Sequence, residues 1–400
     1  MCCEDLGAMK EELWQDLPCE ILERVLSFLP VPSLCQFRVV CKKWNELVRQ
    51  PSFAALCAQA HPQRSYVFVM PDTVTDAVMG WELFDSVSRK YFYLSDDFLF
   101  KQVEMMDRFK IGFQRSTIAA DKGLFCVLWS TMGLEEHALF ICNPVTKQSK
   151  ELPFYGFFDL VVGIHNPVVL MSVQDDMAGY KIFLIEEVHP TEPTRQRMHV
   201  YDSKAENWLK LCDPPQNLNP SSGVLINNTL YILFWDSCNL THSLWAYDAA
   251  KDAWSIAVEK LPKSKIPQLV VSGGRLFFVR AWANSFSIVE IHLLEKKQTS
   301  VVSHMPSKHF DDLVQLVPYI DTWSPYHDMI GRNASFLSIG DGDSIVISSF
   351  KGRSVTYNLL ENSWDQSRVN KQLVQIFDPL DEDTGLYGNS VTLSLSMPPS

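Results

Sequence analysis

The chain has 400 residues, 46% of them hydrophobic and 20% charged, with a formal net charge of −12. That composition suits a soluble globular protein with a sizeable core, divided into two or three domains or into one small and one large. No run of Lys and Arg exceeds two residues and no apolar run approaches membrane-spanning length, so neither nucleic acid nor a membrane is expected as a partner.

The N-terminal tail, residues 1–12, lacks the apolar stretch of a secretory signal. The ten cysteines contain no C-x-x-C pair, so neither a disulfide framework nor a zinc site is indicated and reduced thiols in cytoplasm or nucleus are expected. Sequons begin at Asn227, Asn239 and Asn333, but without a signal sequence they are expected to stay unglycosylated.

Residues 13–60 carry a helical pattern. Asp16 can cap a first helix, with Pro18 and Glu20 in its first turn. Ile21, Val25 and Phe28 form one apolar row, and Leu22, Leu26 and Leu29 form another. Pro30 ends this helix because it has no backbone donor. A second short helix follows Pro32, and a third runs through "CKKWNELV" and stops before Pro51. A unit this short cannot bury both rows by itself. One row therefore faces inward, and the other needs a cover: the rest of the chain or a separate protein.

Residues 66–400 read as strands. The frame "YDSKAENW" (201–208) returns as "YDAAKDAW" (247–254) and "YNLLENSW" (357–364), with a weaker echo "FDSVSRKY" (84–91). Upstream of these frames, apolar runs meet across tight turns at Asp121–Gly123, Asn227–Asn228, Gly273–Gly274 and Asp341–Gly342. Residues that tolerate positive φ between two apolar runs indicate a β-hairpin. A third strand ends in the Tyr-Asp pair, and a fourth carries the Trp. Four antiparallel strands per unit, recurring at about 45–60 residues, is the period of kelch-type propeller blades. Six blades are expected, at roughly 66–95, 115–153, 158–211, 222–257, 268–302 and 335–368. "CNPVTKQS" (142–149) and "HLLEKKQT" (292–299) keep the polar turn but lose the aromatics. The terminal segment 371–400 is expected to help close the ring. The fold is thus mixed: a small all-α module, then an all-β kelch-type propeller.

The helical stretch "LPCEILERVLSFLP…LCQFRVVCKKWNEL" resembles the F-box, the module that binds the Skp-type adaptor of cullin ubiquitin ligases. With the repeats behind it, the whole chain resembles plant-type F-box/kelch proteins, and "LFICNPVTKQSKELP" (139–153) is similar to a phrase common in their second blade. One departure stands out. Kelch repeats usually end the second strand with a glycine doublet, and here those places hold Leu128-Trp129, Phe234-Trp235, Arg280-Ala281 and Ser349-Phe350.

The resemblance implies a substrate receptor with no catalytic residue and no cofactor, joined through a Skp-type adaptor to a cullin scaffold, with the propeller holding a target protein. It carries adaptor contact onto Leu17, Pro18, Ile21, Leu22, Val25, Leu26, Leu34, Val40, Cys41 and Trp44; for each, the alternative is ordinary core packing. A second function is an adaptor-bound scaffold or transcriptional co-regulator that recruits a partner without degrading it. A third, a copper oxidase on a kelch-like propeller, would need convergent His and Tyr ligands. His304, His309 and His327, with Asp311 and Asp312 near them, match no metal-ligand spacing and read as a solvated loop. Trp129, Trp235, Trp282 and Phe350 all fall near second-strand ends. They are expected to gather at one mouth of the ring as target contacts, with packing between blades as the alternative.

Overall fold

A computed structural model describes residues 18–38, 40–60, 65–71, 73–74, 81–85, 90–94, 97–100, 114–131, 137–153, 167–174, 179–188, 195–264, 267–281, 285–293, 298–314, 336–349, 353–366 and 386–392. The chain divides into two units that meet in sequence at Arg64 and Ser65.

The first unit is helical. Helices α1 (Cys19–Ser27) and α2 (Val31–Phe37) each begin directly after a proline, Pro18 at φ −52° and Pro30 at φ −56°. The proline ring pre-sets a φ close to the helical value, and its missing N–H is an orphan at a helix start. The second helix starts one residue before Pro32 rather than after it. Helix α3 (Lys42–Val48) follows, and then α4 (Pro51–Ala60), a fourth helix that the sequence reading left out. The unit's core joins Leu26, Leu34, Leu47, Val48 and Phe53, with Leu22, Leu29 and Cys57 packed against them.

The second unit is a β-propeller of antiparallel sheets. Five sheets are built from consecutive strands. Blade 2 holds β5 (Gln114–Asp121), β6 (Leu124–Thr131), β7 (His137–Asn143) and β8 (Gln148–Leu152), with the short β2 (Thr73–Val74) added beside β5. Blade 3 holds β9 (Val168–Val173), β10 (Tyr180–Val188), β11 (Arg195–Asp202) and β12 (Asn207–Lys210). Blade 4 holds β13 (Asn219–Ile226), β14 (Thr229–Asp236), β15 (Thr241–Asp248) and β16 (Ala253–Leu261). Blade 5 holds β17 (Gln268–Ser272), β18 (Arg275–Ala281), β19 (Phe286–His292) and β20 (Gln298–His304). Blade 6 holds β21 (Phe336–Asp341), β22 (Ser344–Ser349), β23 (Ser354–Asn358) and β24 (Ser363–Gln366).

The sixth sheet, blade 1, takes strands from both ends of the unit. Strands β1 (Ser65–Pro71), β3 (Trp81–Asp85) and β4 (Lys90–Leu94) supply three positions. The fourth is β25 (Leu386–Thr392), which pairs with β1 from Ser65↔Thr392 to Pro71↔Leu386. Residues 66–95 are therefore three-quarters of a blade, and the C-terminal strand completes it. The first strand of each sheet lies next to its counterpart in the neighbouring blades, in the cycle β25, β5, β9, β13, β17, β21 and back to β25. Closure of this kind removes the open sheet edges at the centre of the ring.

The hairpin turns form as their residue types dictate. Lys122 and Gly123, Asn227 and Asn228, and Gly273 and Gly274 all have positive φ at both central positions, the backbone of a type I′ turn. At Gly342 only the first central position is positive, at φ 57°. Between blades, apolar side chains from facing sheets interdigitate: Phe183, Ile185 and Met198 with Ile232 and Phe234, then Leu233 and Leu244 with Leu276 and Phe278. The one-turn helix α5 spans Asp97–Phe100, and the segment after blade 5, expected as a solvated loop, contains a helix, α6 (Ser307–Val314), whose Phe310 and Leu313 are buried in the core between blades 5 and 6. The apolar i, i+3 pair is short enough to be lost among the polar residues around it.

Candidate interaction surfaces

The two apolar rows of α1 part company. Leu26 is 5% exposed, and Leu22 and Leu29 pack into the same core. Ile21 is 50% exposed, Val25 40% and Phe28 48%. Pro18 and Cys41 are exposed, Val40 is 63% exposed, and Leu22 and Trp44 are half-buried. Trp44 meets Phe37 edge to face at 4.8 Å between ring centroids. Leu26 and the fully buried Leu34 correct the expectation of adaptor contact: both support the helices from within and present nothing outward. Leu17 lies outside the described residues. Lys43 Nζ reaches Cys19 Sγ at 3.3 Å and Arg38 Nε reaches Asn45 Oδ1 at 3.2 Å, fixing α1 to α3 and the end of α2 to α3.

On the propeller, the recurring frame is a hairpin and a clamp. Tyr201, Tyr247 and Tyr357 lie directly opposite Trp208, Trp254 and Trp364 across the third and fourth strands. Their ring centroids are 5.4, 5.1 and 4.9 Å apart. Each indole N–H then crosses to the preceding blade. Trp208 donates to the Pro153 carbonyl at 2.8 Å, Trp254 to the Cys212 carbonyl at 3.1 Å and Trp364 to Ser303 Oγ at 2.9 Å. The residue after each tyrosine caps the turn by accepting backbone N–H groups: Asp202 from Lys204, Asp248 from Ala250, and Asn358 from Leu360 and Glu361. Asn143 does the same in blade 2, where the aromatics are lost. Five residues beyond the tyrosine stand Glu206, Asp252 and Asn362, all at positive φ. Asp252 accepts from the Tyr247 hydroxyl (2.6 Å) and from the Cys212 N–H (2.8 Å) of the blade before. These two bonds hold its carboxyl below the usual range. The frame is thus structural, and its chemistry is that of one blade gripping the next.

The four rim aromatics do not form one set. Counted from the hairpin pairs Asp121↔Leu124 and Ile226↔Thr229, Trp129 is equivalent to Phe234, and Trp235 is equivalent to Ser130. A shift of one residue turns a strand side chain to the opposite face. Trp129 is 3% exposed and packs against Phe140 at 5.4 Å, so it is core, and its proposed target contact is corrected. Trp235 is half-buried at the end of β14, against His242 with ring centroids 4.6 Å apart. Trp282 and Phe350 lie outside the described residues. The doublet position in blade 2 is accordingly Trp129-Ser130 rather than Leu128-Trp129.

The histidines singled out for metal chemistry are dispersed. His304 Nδ1 shares a hydrogen bond with Ser287 Oγ at 2.9 Å, and His309 lies on α6. His327 lies outside the described residues. Among the described residues no three His, Cys, Asp or Glu side chains gather as metal ligands, and no helix is long and apolar enough to cross a membrane.

Comparison with known proteins agrees with this division. Residues 14–55 match the F-box domain family. Over 377 residues the chain is 24% identical to F-box only protein 6 of Arabidopsis thaliana, covering 90% of this chain and 70% of the relative. An Arabidopsis F-box/kelch-repeat protein is 25% identical over 242 residues, 56% of this chain and 53% of that protein. The Arabidopsis protein UNUSUAL FLORAL ORGANS is 24% identical over 292 residues, 68% of this chain and 62% of its own length. F-box proteins act in general as substrate adaptors of Skp–cullin–F-box ubiquitin ligases, typically as non-catalytic receptor subunits, and an F-box domain implies binding of a Skp-type adaptor. Residues 14–55 thus match an F-box domain with a β-propeller behind it, and the chain is similar to F-box and F-box/kelch-repeat proteins of Arabidopsis thaliana.

Proposed function

We propose that this chain is the substrate-recognition subunit of a Skp–cullin–F-box ubiquitin ligase, acting in cytoplasm or nucleus, with the F-box on the adaptor and the propeller on a target protein. The observation that carries this reading is the split on α1: one apolar row is spent in the core, and Ile21, Val25 and Phe28 remain exposed. Three large apolar side chains on one helix face favour a protein contact. Pro18, Leu22, Val40, Cys41 and Trp44, exposed or half-buried, are further adaptor contacts on this reading, with Leu17 joining them from the sequence alone. The chain contributes no chemistry. It raises the local concentration of a target lysine beside an activated ubiquitin, which accelerates transfer without a new reactive group.

The test is ubiquitin transfer in a complex reconstituted from the full chain, the Skp-type adaptor and the cullin scaffold, using a partner captured by the propeller. Transfer to that partner is expected, with loss when Ile21 and Val25 are both changed to Asp. A partner that binds the propeller yet neither gains ubiquitin nor changes its half-life with the chain present would favour the non-degradative scaffold instead.

A further inference from the structure

We infer that the seam between blades 4 and 5, at the end of the ring where β14 and β18 finish, binds an acidic segment of a partner protein, an Asp or Glu flanked by an apolar residue. This rests on the receptor reading above and gives the target site a place and a chemistry.

The seam is rich in donors and poor in acceptors. Arg280, half-buried at the end of β18, spends one guanidinium nitrogen on the Lys263 carbonyl at 3.2 Å. Among the described residues it forms no ion pair, and its buried Nε–H has no acceptor. On the blade 4 side of the same seam, the Trp235 indole N–H is buried and has no acceptor among the described residues. The two are tied through one short link. His242, which stacks on Trp235, has Nε2 3.4 Å from the Ser264 carbonyl, and Ser264 Oγ accepts the Ala281 N–H at 3.2 Å. In that link the side chain of Lys263 is exposed. Burial holds His242 at about 4, so its ring is neutral and adds no charge.

The neighbouring acid is already committed. Asp236 turns into its own loop and accepts the N–H groups of Cys238 and Asn239 and the side-chain amide of Asn239. That loop carries Leu240 at φ 51° and 56% exposed. A bulky residue in the left-handed region is strained, and such strain concentrates at functional sites. In a chain of net charge −12, a guanidinium held by a backbone carbonyl, beside a lysine and an exposed leucine, complements a carboxylate next to an apolar side chain. Guanidinium and carboxylate pair through charge-assisted hydrogen bonds.

The probe is a set of decapeptide pools with a fixed central Glu, Lys or phosphoserine followed by Leu, the other positions mixed. Each pool is passed over the immobilised full chain with the Skp-type adaptor present in solution. The Glu pool is expected to be retained about tenfold better than the Lys pool at low salt and less well as salt rises. Arg280→Glu should abolish that preference and Lys263→Glu should reduce it, with melting unchanged for the exposed Lys263. Equal retention of all pools, retention of the phosphoserine pool alone, or selectivity unchanged in both charge variants would overturn the assignment. Adaptor binding is read in the same preparations. Selectivity kept in a chain that does not hold the adaptor would fail the receptor reading and leave this site standing; adaptor held without selectivity would fail this site alone.

Discussion

At the scale of single residues, the molecule is held by side chains that repeat. Tyr247 and Trp254 illustrate the pattern: one packs and donates to Asp252, the other packs and donates to Cys212 of the preceding blade. Trp254→Ala should cost about 2–4 kcal/mol in denaturant unfolding, near the lower end of the range for buried aromatics because this ring is half-buried. Trp254→Phe and Tyr247→Phe should each cost about 1 kcal/mol, the net worth of one hydrogen bond. Alanine and phenylalanine variants that melt alike would show that the ring contributes nothing beyond its N–H. The frame was legible in the sequence because Tyr, Asp and Trp recur at fixed spacing. Its hydrogen bonds to the preceding blade were not, since an acceptor such as the Pro153 carbonyl leaves no mark in residue type.

A second residue-level expectation concerns pH. Burial lowers His242 from 6.5 to about 4 in the folded chain. The unfolded chain therefore binds the extra proton first, and stability that is fully present above pH 6.5 is lost as pH falls towards 4. The full loss attached to this group is on the order of 3 kcal/mol. His199, also depressed by burial, adds to it in the same direction. His242→Gln should flatten the fall in melting temperature between pH 6.5 and 4. Parallel curves for the two proteins would contradict the assignment.

Among elements, the hairpins were the most legible part of the fold. Asn-Asn and Gly-Gly, or Gly after Lys122, at paired positive φ leave few other structures between two apolar runs. The helix row was legible for a related reason: two parallel apolar stripes cannot both face one small core. The side-chain face at strand ends was not. Trp129 and Trp235 look equivalent as the aromatics of the doublets Leu128-Trp129 and Phe234-Trp235, yet counting from the turn places them on opposite faces. Close approach between inner strands was equally hidden. A Cβ added at Gly340, in β21, would collide with the Val271 backbone of β17. Gly340→Ala should therefore destabilise by about 1–3 kcal/mol, because backbone cannot move aside as a side-chain tip can. Unchanged denaturant midpoints would show that the two strands have room to separate.

For the whole molecule, the ring depends on its last strand. β25 completes blade 1 and stands between β5 and β21 in the inner cycle. A chain ended at residue 385 should lose cooperative unfolding and aggregate through the freed edge of β1. The sequence suggested that the terminal segment helps close the ring but gave residues 66–95 as a whole blade; the pairing of β25 with β1 shows which strand that blade lacked. The proposed division of labour gives the adaptor to the helical unit, with its exposed apolar face, and a target to the closed ring. The most direct test is co-purification of the Skp-type adaptor with the full chain, comparing wild type with the Ile21→Asp/Val25→Asp double variant while the propeller's melting is followed in parallel. The expected result is a stoichiometric complex for wild type and its loss in the variant, with the propeller transition unchanged. Adaptor retained undiminished by the variant, or never bound by the wild-type chain, would contradict it.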